Sequence, residues 1–258
     1  MDTTPINYEL TFEPDLKKFT FNGTESISVD CKKPTNTITM NCAELKIKSC
    51  QVKSAGKIIK STPKTNEKNE ELQIRLREKI KGKVTINLEF QGILNDRLLG
   101  FYRSQYKQGG KTKYLATTQF EAADARRAFP CWDKPEAKAS FEISIIADNK
   151  FTAISNMPIK SKKKVGSKTI YKFGKTPVVS TYLIYLGVGD FEYLTGKIGK
   201  TQIRVVTTKG NKSKGKFSLE LGKKLLASYE KYFGIKFPLP KLDLIAIPDF
   251  AAGAMENW

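Results

Sequence analysis

At 258 residues, with 40% apolar and 28% charged residues, the chain has a globular composition and room for one large or two ordinary domains. No apolar run approaches the ~18 residues of a membrane-spanning helix. The net charge is +19, but the lysines are dispersed from Lys17 to Lys241 among acids and lack the basic-aromatic pattern of an RNA-binding sheet, so no nucleic-acid partner is expected.

Taken in chain order, the first three quarters of the sequence read as successive strands. Residues 6–12, 19–29, 37–48 and 72–77 alternate apolar and polar side chains, the period-2 signature of half-buried strands. Residues 83–90, with Val84, Ile86, Leu88 and Phe90, give the clearest strand, and 100–106 and 113–118 add two more. Residues 119–135 lose the alternation: Asp124 to Ala128 can form one helical turn, and Pro130 and Pro135 prevent anything longer. Strands resume at 139–146, 152–155, 169–173 and 182–188, with the lysine cluster 160–164 read as a solvated turn before Gly166. This pattern predicts a mainly β fold, an antiparallel two-layer domain over residues 1–193.

From about residue 193 the character changes. Residues 201–207 read as a strand. Phe217, Leu221, Leu225, Leu226, Tyr229 and Phe233 then recur at helical spacing and are read as a core-facing stripe. Gly234 stands where a C-cap is expected, Pro238 and Pro240 forbid continuation, and 242–247 form a further strand. A strand, a helix and a strand cannot cover their own apolar faces, so residues 194–258 read as the opening of a second domain. That part is expected to be the less stable, or to self-associate through its uncovered face.

Two counts bound the chemistry. There is no histidine, so Ser-His-Asp and Cys-His catalysis and histidine-ligated zinc are excluded within this chain. The four cysteines, Cys31, Cys42, Cys50 and Cys131, form no C-x-x-C pair and read as reduced thiols. The opening Met1-Asp2-Thr3-Thr4-Pro5 has neither the basic flank nor the apolar core of a secretory signal, and a cytoplasmic setting is expected.

Two stretches stand apart. The last, Ala251-Ala252-Gly253-Ala254-Met255-Glu256-Asn257-Trp258, brackets one acid with small residues, as a backbone that approaches a ligand closely would do. The other runs Gln119-Phe120-Glu121-Ala122-Ala123-Asp124-Ala125-Arg126-Arg127-Ala128-Phe129-Pro130-Cys131-Trp132-Asp133-Lys134-Pro135. Together they resemble the aminopeptidase N family of zinc aminopeptidases, which belong to the gluzincins. Residues 253–257 read as that family's G-A-M-E-N loop. Residues 119–135 match its Q-F-E-x-x-D-A-R-R-x-F-P-C-x-D-x-P segment, except for Lys134 where a second acid precedes the last proline. Ser180-Thr181-Tyr182-Leu183 and Val188-Gly189-Asp190-Phe191-Glu192-Tyr193 look like the strand that closes the family's first domain. Among its members the archaeal tricorn-interacting aminopeptidases look most similar.

The resemblance implies a saddle-like β-sandwich domain followed by the start of a thermolysin-like α+β domain, cut before the zinc motif. It implies a hydrolase that releases N-terminal residues from short peptides. Glu121 and Glu256 would be the two carboxylates that hold the free ammonium, which is largely cationic at neutral pH. Gln119 would line the first side-chain subsite with Met255 beside it. Gly253 and Ala254, with Asn257 in the same loop, would align the peptide backbone. Arg126, Arg127 and Asp133 read instead as an ion-pair network that fixes the loop, and Cys131 as a buried apolar residue. The H-E-x-x-H ligands of the zinc would lie beyond Trp258, so no bound zinc, no catalytic residue and no turnover are expected of this chain alone. The alternative is a non-catalytic β-rich module that binds peptides or a partner protein.

Overall fold

The computed structural model describes residues 2–258. In chain order the strands are β1 (Thr3–Asp15), β2 (Thr20–Asn41), β3 (Lys46–Ser54), β4 (Lys57–Ile59), β5 (Ser61–Asn66), β6 (Glu71–Ile93), β7 (Gly100–Gln108) and β8 (Lys111–Gln119). They continue as β9 (Ser140–Asp148), β10 (Thr152–Ser155), β11 (Ile159–Val165), β12 (Lys168–Phe173), β13 (Leu186–Gly189), β14 (Phe191–Ile198) and β15 (Thr201–Thr208). The helix α1 (Lys216–Phe233) and the strand β16 (Lys241–Ile245) close the chain.

A nine-stranded sheet runs β11-β12-β9-β1-β2-β6-β3-β4, with β5 on β6; a four-stranded sheet runs β10-β13-β8-β7; and β14-β15-β16 form a third. The first two sheets share one core. Tyr8 stacks on Phe141 with centroids 5.0 Å apart; Phe12 packs edge to face on Phe101 and Phe129 in the same core, and Phe21 leans on Phe101 at a tilt. The fold is therefore mainly β, as the alternation predicts.

Several elements differ from the sequence expectation, each for a physical reason. Residues 20–29 and the start of 37–48 belong to one strand, β2, and 72–77 and 83–90 to one strand, β6. The two long strands pair along their whole length, and register shifts between Cys31 and Thr37 absorb the Lys32-Lys33-Pro34 and Gly82 interruptions that mimic turns. The chain breaks instead at residues 42–45. Residues 160–164 are not a turn but most of β11, an outer strand whose seven residues are all exposed. Residues 181–183 form a 3₁₀ turn ahead of β13, and the closing strand expected over residues 188–193 is divided between β13 and β14, the latter running on to Ile198 and pairing with β15. The sheets are not purely antiparallel either: β1 runs parallel to β9, and β15 parallel to β16.

The helix holds the largest correction. Leu219 and Leu226 are its buried side chains, whereas Phe217, Leu221, Leu225, Tyr229 and Phe233 are exposed. Its inner face packs on the three-stranded sheet, and it comes close because residue 222 is glycine. A β-carbon there would lie 3.0 Å from Leu244 Cδ1. The rest of the apolar stripe faces outward. Gly234 does cap the helix, at φ 66° in the left-handed region.

A second glycine explains how β2 and β6 pack. A β-carbon on Gly23 would lie 2.1 Å from the Phe90 ring, which covers the cross-strand glycine directly. Gly23→Ala is therefore expected to cost about 1–3 kcal/mol by overpacking. Urea denaturation checks this; an unchanged midpoint would mean that the ring has room to move.

Candidate functional site

The segment after β8 is shaped from both sides. Phe120 and Phe129 are fully buried and pack on each other at 6.2 Å, pulling the chain inward at two points. Between them the Asp124 amide donates to the Phe120 carbonyl, and a 3₁₀ turn at residues 125–127 returns the chain. Cys131 then exchanges two backbone hydrogen bonds with Asn41 at the end of β2. This leaves Glu121 and Ala122 as an exposed knuckle.

The charged residues lock that shape, as the sequence reading expects. The Arg126 guanidinium donates to Asp133 at 3.0 Å and to Glu70 at 3.1 Å, and Arg127 donates to Asp124, Glu44 and Glu70 at 2.6–2.8 Å. The Asp133 side chain is 1% exposed and also accepts the Arg126 amide and the Thr181 hydroxyl. Both arginines are held above their ordinary values, since their carboxylate partners outweigh the opposing effect of burial. Glu44 and Glu70, which the sequence reading leaves out, come from distant strand ends. No local pattern marks them.

Cys131 is completely buried, and burial pushes its thiol well above the ordinary value. Cys42 is pushed up to about 12, again first by burial. Neither is a thiolate nucleophile.

The terminal loop is sutured to the β body at both ends. At the near end the Tyr102 hydroxyl donates to the Asp249 carbonyl at 2.9 Å, and the Asp249 amide donates to Ser104 Oγ at 3.0 Å. At the far end the Trp258 amide donates to the Leu183 carbonyl at 3.1 Å, and Asn156 Nδ2 donates to the Trp258 carbonyl at 2.7 Å. Between these anchors Gly253, Ala254 and Glu256 are exposed, and no atom lies within 4 Å of a β-carbon built on Gly253.

The strand that delivers this loop is pinned as well. Lys241 Nζ donates to the Ser155 carbonyl of β10 at 2.8 Å and to Asp243 at 2.6 Å, while Arg204 holds Asp243 with two nitrogens. Burial keeps Lys241 below its ordinary value despite the Asp243 charge. For Asp243 burial acts upward, but the bonds from Arg204 and the charge of Lys241 outweigh it and hold the carboxyl low. Sequence reading misses this clamp, because Ser155, Arg204 and Lys241 show no common motif.

One contact joins the two stretches. Gln119, the last residue of β8 and 8% exposed, points Nε2 at Met255 Sδ, 3.6 Å away. Its Oε1 and the Asn257 Nδ2 are both buried without a hydrogen-bond partner among the described residues. Buried polar atoms left in that state usually await a ligand, an ion or water. Glu121 stands two residues from Gln119 and Glu256 one from Met255. Neither carboxylate has an ion-pair partner among the described residues, unlike every acid of the neighbouring arginine network.

Zinc does not fit the donors in this chain. It contains no histidine, its cysteines are scattered, and no group of three histidine, cysteine, aspartate or glutamate residues that could hold a metal occurs among the described residues.

Residues 4–183 match the Peptidase M1 N-terminal domain, and residues 217–258 match the Peptidase family M1 domain. The chain is 40% identical to Aminopeptidase 2, mitochondrial, of Saccharomyces cerevisiae, with 100% of the chain covered and 27% of that protein. It is 43% identical to Aminopeptidase M1-A of Oryza sativa subsp. japonica, covering 98% of the chain and 30% of the relative. It is 40% identical to Puromycin-sensitive aminopeptidase of Caenorhabditis elegans, covering 98% and 28%. The chain thus spans less than a third of the length of the curated relatives it matches, and these relatives bear on the family rather than on an archaeal likeness. Because the match to the N-terminal domain alone takes in more than half of its residues, the chain belongs to peptidase family M1.

Proposed function

We propose that this chain is the portion of a zinc aminopeptidase that recognises the free N-terminus of a peptide. The observation that carries the reading is the Gln119–Met255 contact, which brings the stretch holding Glu121 against the loop holding Glu256. Two exposed, unpaired carboxylates beside that contact suit an α-ammonium, which offers three donors and a positive charge. An internal peptide bond offers neither, so chains without a free amine leave the acids unpaired and are rejected. In this reading the orphaned Gln119 Oε1 lines the pocket for the first side chain, with Met255 as its adaptable apolar wall. Gly253 and Ala254 offer an open backbone along which the peptide lies, and Asn257 Nδ2 gives the loop a spare donor.

M1 enzymes are generally zinc-dependent. When bound, the metal supplies Lewis-acid polarisation of the scissile carbonyl. Its ligands would have to come from residues other than those of this chain, so binding without turnover is expected here. Peptides with a free N-terminus as substrates, a cytoplasmic setting and pairing of copies through the open face of α1 are parts of the same proposal.

Calorimetric titration of the chain with a short peptide and its N-acetylated twin tests the reading. The free-amine peptide should bind and the acetylated one should not. Glu121→Gln and Glu256→Gln should each weaken binding roughly tenfold or more, the scale of one hydrogen bond to a charged group. Equal affinity for the two peptides would overturn the proposal.

A further inference from the structure

The lysine-rich strand β11 is not used by the site described above. It is the outermost strand of the nine-stranded sheet and pairs only with β12. Its sequence, Ile-Lys-Ser-Lys-Lys-Lys-Val, carries four lysines in seven residues, and every residue is exposed. Across β11 and β12 there are six lysines and no acid. Lys160, Lys162, Lys163 and Lys164 have no ion-pair partner among the described residues; only Lys162 finds a neighbour, with Nζ 5.0 Å over the Tyr171 ring. Ile159 and Val165, at the two ends, are 42% and 51% exposed.

Lysine on an edge strand guards against pairing with another copy of the same strand, since like charges meet. The same arrangement is selective rather than closed. The open edge still presents unpaired backbone donors and acceptors, and its charge rejects basic strands while attracting acidic ones. Register with β12 sets Lys162 opposite Tyr171 and Lys164 opposite Thr169, while Lys163 stands opposite Ile170. Lysines therefore project on both faces of the edge, so an added strand meets a cation at consecutive positions.

We propose that β11 is a docking edge for an acidic, extended peptide segment of a partner protein, which joins the nine-stranded sheet as a further strand. Backbone hydrogen bonds supply the geometry, consecutive acids pair with Lys162, Lys163 and Lys164, and the exposed Ile159 and Val165 cover apolar flanking residues. A nucleic acid or lipid headgroup would use the charge alone and leave the open backbone groups to water.

The probe is an acetylated, amidated, glutamate-rich peptide of β-forming composition, about the length of β11, titrated by fluorescence anisotropy against the whole chain. Its blocked N-terminus keeps it from the amine site. Binding is expected, together with hydrogen-exchange protection of the amides of residues 159–165. A twin peptide methylated on alternate backbone nitrogens keeps its charge but loses donors, and should bind roughly tenfold more weakly or worse, the scale of one or two net hydrogen bonds. Lys162→Glu with Lys164→Glu, both on exposed positions, should abolish binding while the melting temperature stays unchanged. No binding, or equal binding of the methylated twin, would overturn the proposal. So would tighter binding of duplex DNA to the same strand, because each result reduces the edge to a diffuse charge.

Discussion

Asp133→Ala is expected to lower the stability of the chain by about 3–5 kcal/mol, the range for removing one partner of a buried ion pair. Asp133 is a junction rather than a single contact. Its two oxygens receive the Arg126 guanidinium, the Arg126 amide and the Thr181 hydroxyl, and its side chain is almost wholly enclosed. Truncation leaves a cation, an amide and a hydroxyl without that acceptor at once. Asp2→Ala is the matched control. Asp2 pairs with Lys33 at 3.0 Å, but the two side chains are 67% and 74% exposed, so its loss should stay within about 0.5 kcal/mol. Urea denaturation of both variants decides the matter, and near-equal shifts would mean that the junction is no stronger than a surface pair. Asp133→Ala should also loosen the knuckle that presents Glu121, so free-amine peptides should bind it more weakly than they bind the parent chain.

The opposite sign is expected at Glu25. This carboxyl sits on the inner face of β2 between Leu10 and Leu88, is 4% exposed, and has no hydrogen-bond partner for either oxygen among the described residues. Burial raises its pKa well above the ordinary value, so the folded chain prefers the protonated form. The unfolded chain releases that proton near pH ~4.3, the usual range for glutamate. Above that pH the native state binds more protons than the unfolded state, and stability falls as pH rises, until the folded group itself ionises. Glu25→Leu removes this dependence and restores apolar contact with its two leucine neighbours. A gain of about 1–4 kcal/mol is expected at pH 7–8, and less at pH 5. Denaturation at the two pH values reads both effects. The thiols do not confuse the comparison, because burial moves Cys42 and Cys131 to higher pH. A parent chain equally stable at pH 5 and pH 8 would refute this account.

The parts of this molecule that sequence reading captures are those decided locally. The alternation of Val84, Ile86, Leu88 and Phe90 needs only the pleat of one strand, and Gly234 needs only a left-handed cap. The arginine network is legible as a network because Arg126, Arg127 and Asp133 lie within one loop. What escapes is decided by partners far away in the chain. Glu44 and Glu70 complete that network from the connections ahead of β3 and β6, and Lys241 is buried where the Ser155 carbonyl waits on another sheet. The apolar stripe on α1 follows helical periodicity, yet of its members the sheet beneath buries Leu226 alone, together with Leu219, which lies outside the stripe. For Gln119, Glu121, Met255 and Glu256 the motifs suggest a common site, and the fold adds the contact between Gln119 and Met255.

The parallel pairing of β1 with β9 has a consequence for the order of events as the chain leaves the ribosome. β1 lies between β2 and β9, so one of its edges can be filled soon after synthesis begins and the other cannot. Asn7 finds Ser140 only after more than half of the chain has been made. At a synthesis rate of ~5–20 residues per second, the inner edge of the sheet stays open for roughly 7–27 seconds. During that time the first strand is a hydrophobic template without its partner, and the early β1-β2-β6 sheet is the species most in need of protection from its own copies.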